Sequence, residues 1–184
     1  MSDEVGNSEH VEIPEPGPEV ETLGEEVSEQ ALDAELAKVG EAIQEEARGR
    51  GNAAVITARG ELGTCETGDN GGVPYQKYVR HFGNYPPSPW CAFFVSWAFD
   101  VTGARPPWQN PGYVGSINQW ARAHDRLVST PQHGDIFGLG DHHCGLVAGS
   151  DGRSVIYTVE GNCSNCVKAR NISFPGAGIW FARF

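Results

Sequence analysis

One stretch constrains the fold of this chain more than any other. Cys91 is followed by Ala92, Phe93, Phe94, Val95, Trp97, Ala98 and Phe99, with almost no polar interruption. A helix that is apolar nearly all round has to be buried at the centre of its domain. A short aromatic run of this kind also suits a strand. Pro86, Pro87 and Pro89 ahead of it and Gly103 behind it favour a helix over residues 91–101. Whatever domain forms must therefore wrap its other elements around this segment.

The sequence on either side differs in kind. On the N-terminal side, Leu32, Leu36, Val39, Ile43 and Ala47 keep a three-to-four-residue step, which predicts a helix over 28–48. Ser28 is its N-cap and Gly49 and Gly51 mark its end. Asn52 caps a second helix over 53–62, and 75–82 forms a further helical turn. Beyond Pro131 the runs 135–139, 144–148, 155–159 and 179–184 are short and β-prone. Gly140, Gly149, Gly152 and Gly176 separate them, as tight turns between antiparallel strands would. Helices first and strands afterwards predict an α+β domain.

Charge divides the chain in the same way. Residues 1–50 hold 15 Asp/Glu and 3 Lys/Arg, a net −12, whereas residues 51–184 hold 9 and 10, a net +1. Residues 1–27, rich in Glu with Pro14, Pro16 and Pro18, cannot bury enough apolar surface to offset chain entropy and are expected to be a disordered acidic arm. The organisation expected is thus arm 1–27, linker helix 28–50 and a main folded domain 53–184. A near-neutral body makes no electrostatic case for nucleic acid. Mean hydropathy is −0.37, no run reaches membrane-spanning length, and no membrane partner is expected. Residues 1–5 lack the pattern of a secretory signal, so a protein made in the cytoplasm and delivered by release or injection is expected. The acidic arm is then a docking segment for a delivery partner, or simply a solvated tail.

Five cysteines, an odd number, leave at least one thiol for chemistry. Cys91 stands at the start of the central helix, where unpaired N–H groups and the helix dipole favour thiolate. His142 and His143 begin the run 144–148, from which an imidazole can face a helix packed across the sheet. Glu160 continues a strand that should be half buried, a costly place for a carboxylate unless it is paired. A bond to His143 would satisfy it and fix the imidazole tautomer. Asn162 can serve the same end.

Four segments follow one another in this order: Pro89-Trp-Cys-Ala-Phe-Phe-Val-Ser-Trp97, His133-Gly-Asp-Ile136, His143-Cys-Gly-Leu-Val147 and Val159-Glu-Gly-Asn162. Together they resemble the CHAP family, the cysteine, histidine-dependent amidohydrolases/peptidases. Gly63-Thr-Cys-Glu66 with Asn70 is similar to that family's lead-in. The resemblance spans about residues 53–184. It implies a papain-like α+β fold, with the Cys helix packed on an antiparallel sheet, and cleavage of an amide bond in peptidoglycan, as a peptide endopeptidase or an N-acetylmuramoyl-L-alanine amidase. By the same resemblance Cys91 is nucleophile, His143 base and then acid, Glu160 orienter and Asn162 auxiliary, with His142 the alternative base. Cys144 departs from the family pattern, which has a small aliphatic residue there. So do Cys163 and Cys166.

Trp90 and Trp108 are expected in a substrate groove, with Glu66 and Asn70 as further substrate contacts or turn residues, and 110–115 as a substrate-side loop. Glu66, Asp69 and Asn70 lack the alternating acidic pattern of a calcium loop. Cys163 and Cys166 lack a second close pair for zinc, and a local disulfide or two free thiols is expected. No metal and no cofactor is called for. Two rival readings stand beside the hydrolase: a non-catalytic wall-binding module of the same fold, and an intracellular cysteine acyltransferase.

Overall fold

The computed structural model describes residues 29–184, so the acidic arm and the Ser28 cap lie outside the described residues. A single helix, α1 (Glu29–Arg59), opens the described chain. The expected break at Gly49 and Gly51 is absent, and the two helices anticipated there are one. The glycine at 51 answers a packing demand instead. A Cβ on Gly51 would lie 2.5 Å from the Gly134 carbonyl oxygen, so two backbones touch where no side chain fits. Beside this contact the His133 Nδ1 and Asn52 Oδ1 atoms lie 2.6 Å apart. Ala47, Ala54, Val55 and Ala58 are buried at the helical step, whereas Leu36, Val39 and Ile43 are 60%, 53% and 48% exposed. The face of α1 that meets the core therefore begins only at Ala47.

A loop leads to α2 (Gly72–Pro74), which runs on through a π turn (Tyr75–Val79) and a 3-10 turn (Arg80–Phe82). The central segment is α3 (Cys91–Asp100), buried from Cys91 through Phe99 as its all-round apolarity demands. A further helix, α4 (Val114–Ala123), was not anticipated; it starts inside the expected substrate loop and leaves only a short connection before it. Val114, Ile117 and Ala121 form its buried stripe.

Six strands follow: β1 (Leu127–Val128), β2 (Ile136–Leu139), β3 (His143–Ser150), β4 (Val155–Cys163), β5 (Cys166–Ser173) and β6 (Ile179–Ala182). They form one antiparallel sheet in the order β1-β6-β2-β3-β4-β5. Alternation along the strands sends Ile136, Cys144 and Leu146 into the core shared with α1 and α3, and Phe137 and Val147 into a second cluster on the opposite face. Helix α3 lies so close to β4 that a Cβ on Gly161 would fall 2.5 Å from the Phe94 Cβ. The fold is α+β, with helices packed on an antiparallel sheet.

The turn between β4 and β5 is the two residues Ser164 and Asn165, both with positive φ (48° and 67°), as a type I′ hairpin requires. Cys166 does not pair with Cys163, as a local disulfide would need. It is bonded to Cys65, 101 residues away, and Cys163 is a buried free thiol. The loop after α1 is thereby tied to the edge of the sheet, and Gly63 N–H donating to Val167 O (3.0 Å) and Glu66 N–H to Asn165 O (2.8 Å) reinforce the tie. In the segment 133–136, Asp135 is a structural anchor: Arg183 donates from Nε (2.8 Å) and from a terminal nitrogen (2.9 Å) to its two carboxylate oxygens.

Candidate active site

The site forms where the N-terminus of α3 meets the start of β3. Trp90 precedes the helix without a side-chain cap, so the N–H groups of the first turn keep their partial positive field. The first intrahelical bond is Phe94 N–H to Trp90 O, 2.9 Å, and the N–H groups of Cys91, Ala92 and Phe93 precede it. Cys91 sits within this field. Its side chain shares one buried cluster with Cys144, and both Cys144 and the His143 side chain act to lower its pKa. Its sulfur lies 4.0 Å from the His142 carbonyl oxygen.

His143 Nε2 lies 2.7 Å from Glu160 Oε2, so the carboxylate takes one of the two ring nitrogens. The ring also meets Phe137 edge to face, with centroids 6.3 Å apart. The exposed ring of His142, by contrast, brings only its backbone carbonyl to the sulfur. Of the two neighbouring histidines, His143 is the one whose ring meets Glu160.

Glu160 is fully buried, 0% exposed, and every part of its carboxylate is engaged. Besides His143, Arg170 donates from Nε to Oε1 (3.0 Å) and from a terminal nitrogen to Oε2 (2.6 Å). The Thr158 hydroxyl donates to Oε1 at 2.5 Å. Burial pushes the carboxyl's pKa up, but the hydrogen bonds from His143, Arg170 and Thr158 outweigh it and hold it below the usual value.

The sulfur and the imidazole are shifted in complementary directions. For Cys91 the largest influence is Cys144. Burial opposes it, His143 adds to it, and the result is a pKa lowered to about 5. For His143 burial pulls downward, while Cys91 and Glu160 raise it to about 9. Cys144 itself is pushed well up, first by burial and then by Cys91, so it stays protonated. Near neutral pH these shifts favour a thiolate on Cys91 and a proton on His143.

The remaining expected residues fall elsewhere. Asn162, at φ +55°, directs its amide to Asn70 Oδ1 at 3.5 Å. Trp90 is fully buried and donates its indole N–H to Glu66 Oε2 at 2.7 Å, so it is a core residue rather than a groove wall. Trp108 is also buried, donating to Ser96 Oγ at 2.9 Å and packed among Phe99, Trp120 and Phe184. Both rings are drawn inward because each has apolar neighbours for its faces and one acceptor for its N–H. Glu66 spends its second oxygen on the Asn70 N–H, 3.2 Å, which closes the loop that braces Trp90 beside Cys91. Among the described residues no group of three or more His, Cys, Asp or Glu side chains could hold a metal ion.

Arg170 and Thr158 escape a reading of the sequence. The sequence does show that a buried Glu160 needs partners, and Arg170 is ten positions on, across a Ser-Asn turn. Only the strand pairing, which sets Thr158 opposite Arg170, brings them to it.

Cys91 thus stands at a helix start, with His143 and Glu160 joined across adjacent antiparallel strands. No protein-family model and no curated protein matches the chain. Solved structures do. The peptidoglycan hydrolase RipB of Mycobacterium tuberculosis is similar at 18% identity, over 88% of this chain and 91% of that one, with a TM-score of 0.48. The P60 domain of an antigen of M. avium subspecies paratuberculosis is similar at 15% identity, over 75% and 96%, with a TM-score of 0.48. RipD of M. tuberculosis, described as a non-catalytic NlpC/p60 domain protein adapted to peptidoglycan binding, is similar at 14% identity, over 73% and 96%, with a TM-score of 0.47.

Proposed function

We propose that this chain is a thiolate hydrolase that cuts an amide bond in peptidoglycan. The observation that carries the chemistry is the contact of His143 with the fully buried Glu160, beside a Cys91 that starts α3 and whose pKa His143 helps to lower. The motif resemblance to the CHAP family supports the substrate class. In the proposed reaction the Cys91 thiolate attacks the carbonyl carbon, and the electron pair moves to the oxygen. First-turn N–H groups of α3 lie where they can receive that charge. The His143 imidazolium then gives its proton to the leaving amine as the C–N bond breaks. Neutral His143 next draws a proton from water, whose oxygen attacks the thioester, and Cys91 departs as thiolate. Glu160 keeps the ring oriented through both proton transfers.

The disulfide between Cys65 and Cys166 supports action in an oxidising place outside the cytoplasm, since such bonds persist there. Delivery to the wall by release or injection, as a phage lysin or an effector, belongs to the same proposal.

Incubation of the purified chain with defined peptidoglycan, followed by mass spectrometry of the soluble fragments, tests the reading and names the bond. Cys91→Ala should release nothing while retaining its fold and its affinity for the wall. Equal release by that variant would refute the nucleophile. Binding to walls without release by the native chain would favour the non-catalytic module. Transfer of an acyl group to an added amine, with walls untouched, would favour the acyltransferase.

A further inference from the structure

Glu160 sits in a register that ought to pair it with a different cation. Its direct partner across β4 and β5 is Lys168, and Arg170 is the partner of Thr158. Yet the carboxylate is held by the diagonal Arg170, whose guanidinium meets both oxygens, at 3.0 and 2.6 Å. The two-point contact fixes the plane of the carboxylate as well as its charge. The same Oε2 that takes Arg170 takes His143 at 2.7 Å.

We infer that Arg170 is a positioning residue for this site: its planar fork keeps the Glu160 carboxylate ionised and turned so that one oxygen is presented to the His143 ring. This rests on the thiolate reading of Cys91 and deepens it.

The neighbourhood leaves this task to Arg170. The groups facing Glu160 are His143 from β3, Thr158 on its own strand, and Arg170 and Lys168 from β5. Behind His143 lie Cys91 from α3 and Cys144 from β3, and Cys163 lies near the guanidinium. The imidazolium depends on the carboxylate and cannot also guarantee its charge, and Thr158 is neutral. Lys168 is exposed and carries a single point charge without a fork. A fully buried carboxylate that lost its guanidinium would take up a proton more readily. The imidazolium would then lose its partner, and the thiolate would be less well held.

The test needs no substrate. Alkylation of Cys91 by iodoacetamide is followed on the full chain between roughly pH 4 and 8, with the modified peptide read by mass spectrometry so that other thiols do not contribute. In Arg170→Met the acid edge of Cys91 reactivity should move up by about one pH unit, roughly a tenfold slower reaction on the acid side. Arg170→Lys keeps the charge without the fork and should shift the edge upward by less. Lys168→Met should leave it in place. An unmoved or lowered edge in Arg170→Met overturns the inference, even if the melting temperature falls. So does an equal shift in Lys168→Met, which would mark a general effect of charge. If Arg170→Met does not fold, Arg170→Lys decides, and an unchanged edge there overturns the role of the fork. Because alkylation does not involve the wall, failure of peptidoglycan cleavage alongside the expected shift would sink only the hydrolase reading. Normal cleavage with an unmoved edge would sink only this one.

Discussion

Cys144 and Cys91 share one buried cluster, and no other residue lowers the Cys91 pKa as much as Cys144. Strand alternation separates the neighbours on β3: His143 meets Glu160, and the next side chain, Cys144, enters the core cluster that holds Cys91. The residue that departs from the resembled family's pattern is thus the one that shares a cluster with Cys91. Replacing it by the aliphatic residue that pattern has, Cys144→Val, removes the thiol and retains the burial. The Cys91 pKa should rise above about 5, so that iodoacetamide modifies Cys91 more slowly on the acid side than in the native chain. An unchanged profile would show that His143 and the helix field suffice.

The charge states set the working range. The thiolate is lost as pH falls through about 5, and the imidazolium is lost as pH rises through about 9. Hydrolysis should be bell-shaped, with its acid limb near the first value and its alkaline limb near the second. The two limbs belong to the coupled pair rather than to either residue alone. Initial rates across this range, with kcat/KM plotted against pH, check it. A single limb near neutrality would contradict a preformed ion pair.

Glu160→Gln keeps the shape of the side chain and removes its charge. His143 loses a carboxylate partner, so its pKa should fall from about 9 and the alkaline limb should move to lower pH. Arg170 loses its counter-charge as well. Its side chain is 43% exposed and water can reach it, so the expected loss of stability is about 1–3 kcal/mol rather than that of a sealed ion pair. Denaturant melts read the stability, and histidine proton NMR reads the ring.

Reduction of the Cys65–Cys166 bond should lower the melting temperature, because it frees a loop spanning 101 residues. On the chain-entropy account a closure of that length contributes about 4–5 kcal/mol. It should also slow catalysis, since Cys65 is followed by Glu66, the acceptor for the Trp90 indole beside the nucleophile. Thermal melts and hydrolysis rates with and without a phosphine reductant measure both effects, and Cys65→Ser should reproduce them without reductant.

What the sequence made legible follows from how strongly each residue's neighbours constrain it. The segment from Cys91 to Phe99 has no polar side to offer water, so both its helix and its burial could be read. The starts of β2, β3, β4 and β6 were visible because Val, Ile, Leu and Phe recur between turn residues. Strand β5 was hidden: Lys168, Ala169, Arg170 and Asn171 are all exposed, and an edge strand of polar residues shows little apolar alternation. With β5 hidden, neither Arg170 on Glu160 nor the true partner of Cys166 could be inferred. Helix α4 was masked by its short buried stripe. Trp90 and Trp108 misled for a different reason, since an indole suits a groove or a core equally well and only the acceptors Glu66 and Ser96 decide between them.

The contact between Gly51 and Gly134 gives α1 a fixed seat. A methyl group on either residue would collide with the opposite main chain, at 2.5 Å from one side and 2.8 Å from the other. Gly51→Ala should therefore cost about 1–3 kcal/mol, as forced overpacking does, where an alanine inside a free helix would stabilise. A shortened chain beginning at residue 53 would lack this seat and should melt earlier than one that retains α1 from residue 29. Gly134 N–H bonds the Val147 carbonyl on β3, four residues from His143. The crossing thus ties α1 to the strand that carries the histidine through main-chain atoms, so the length of α1 retained and the stability of that strand are linked.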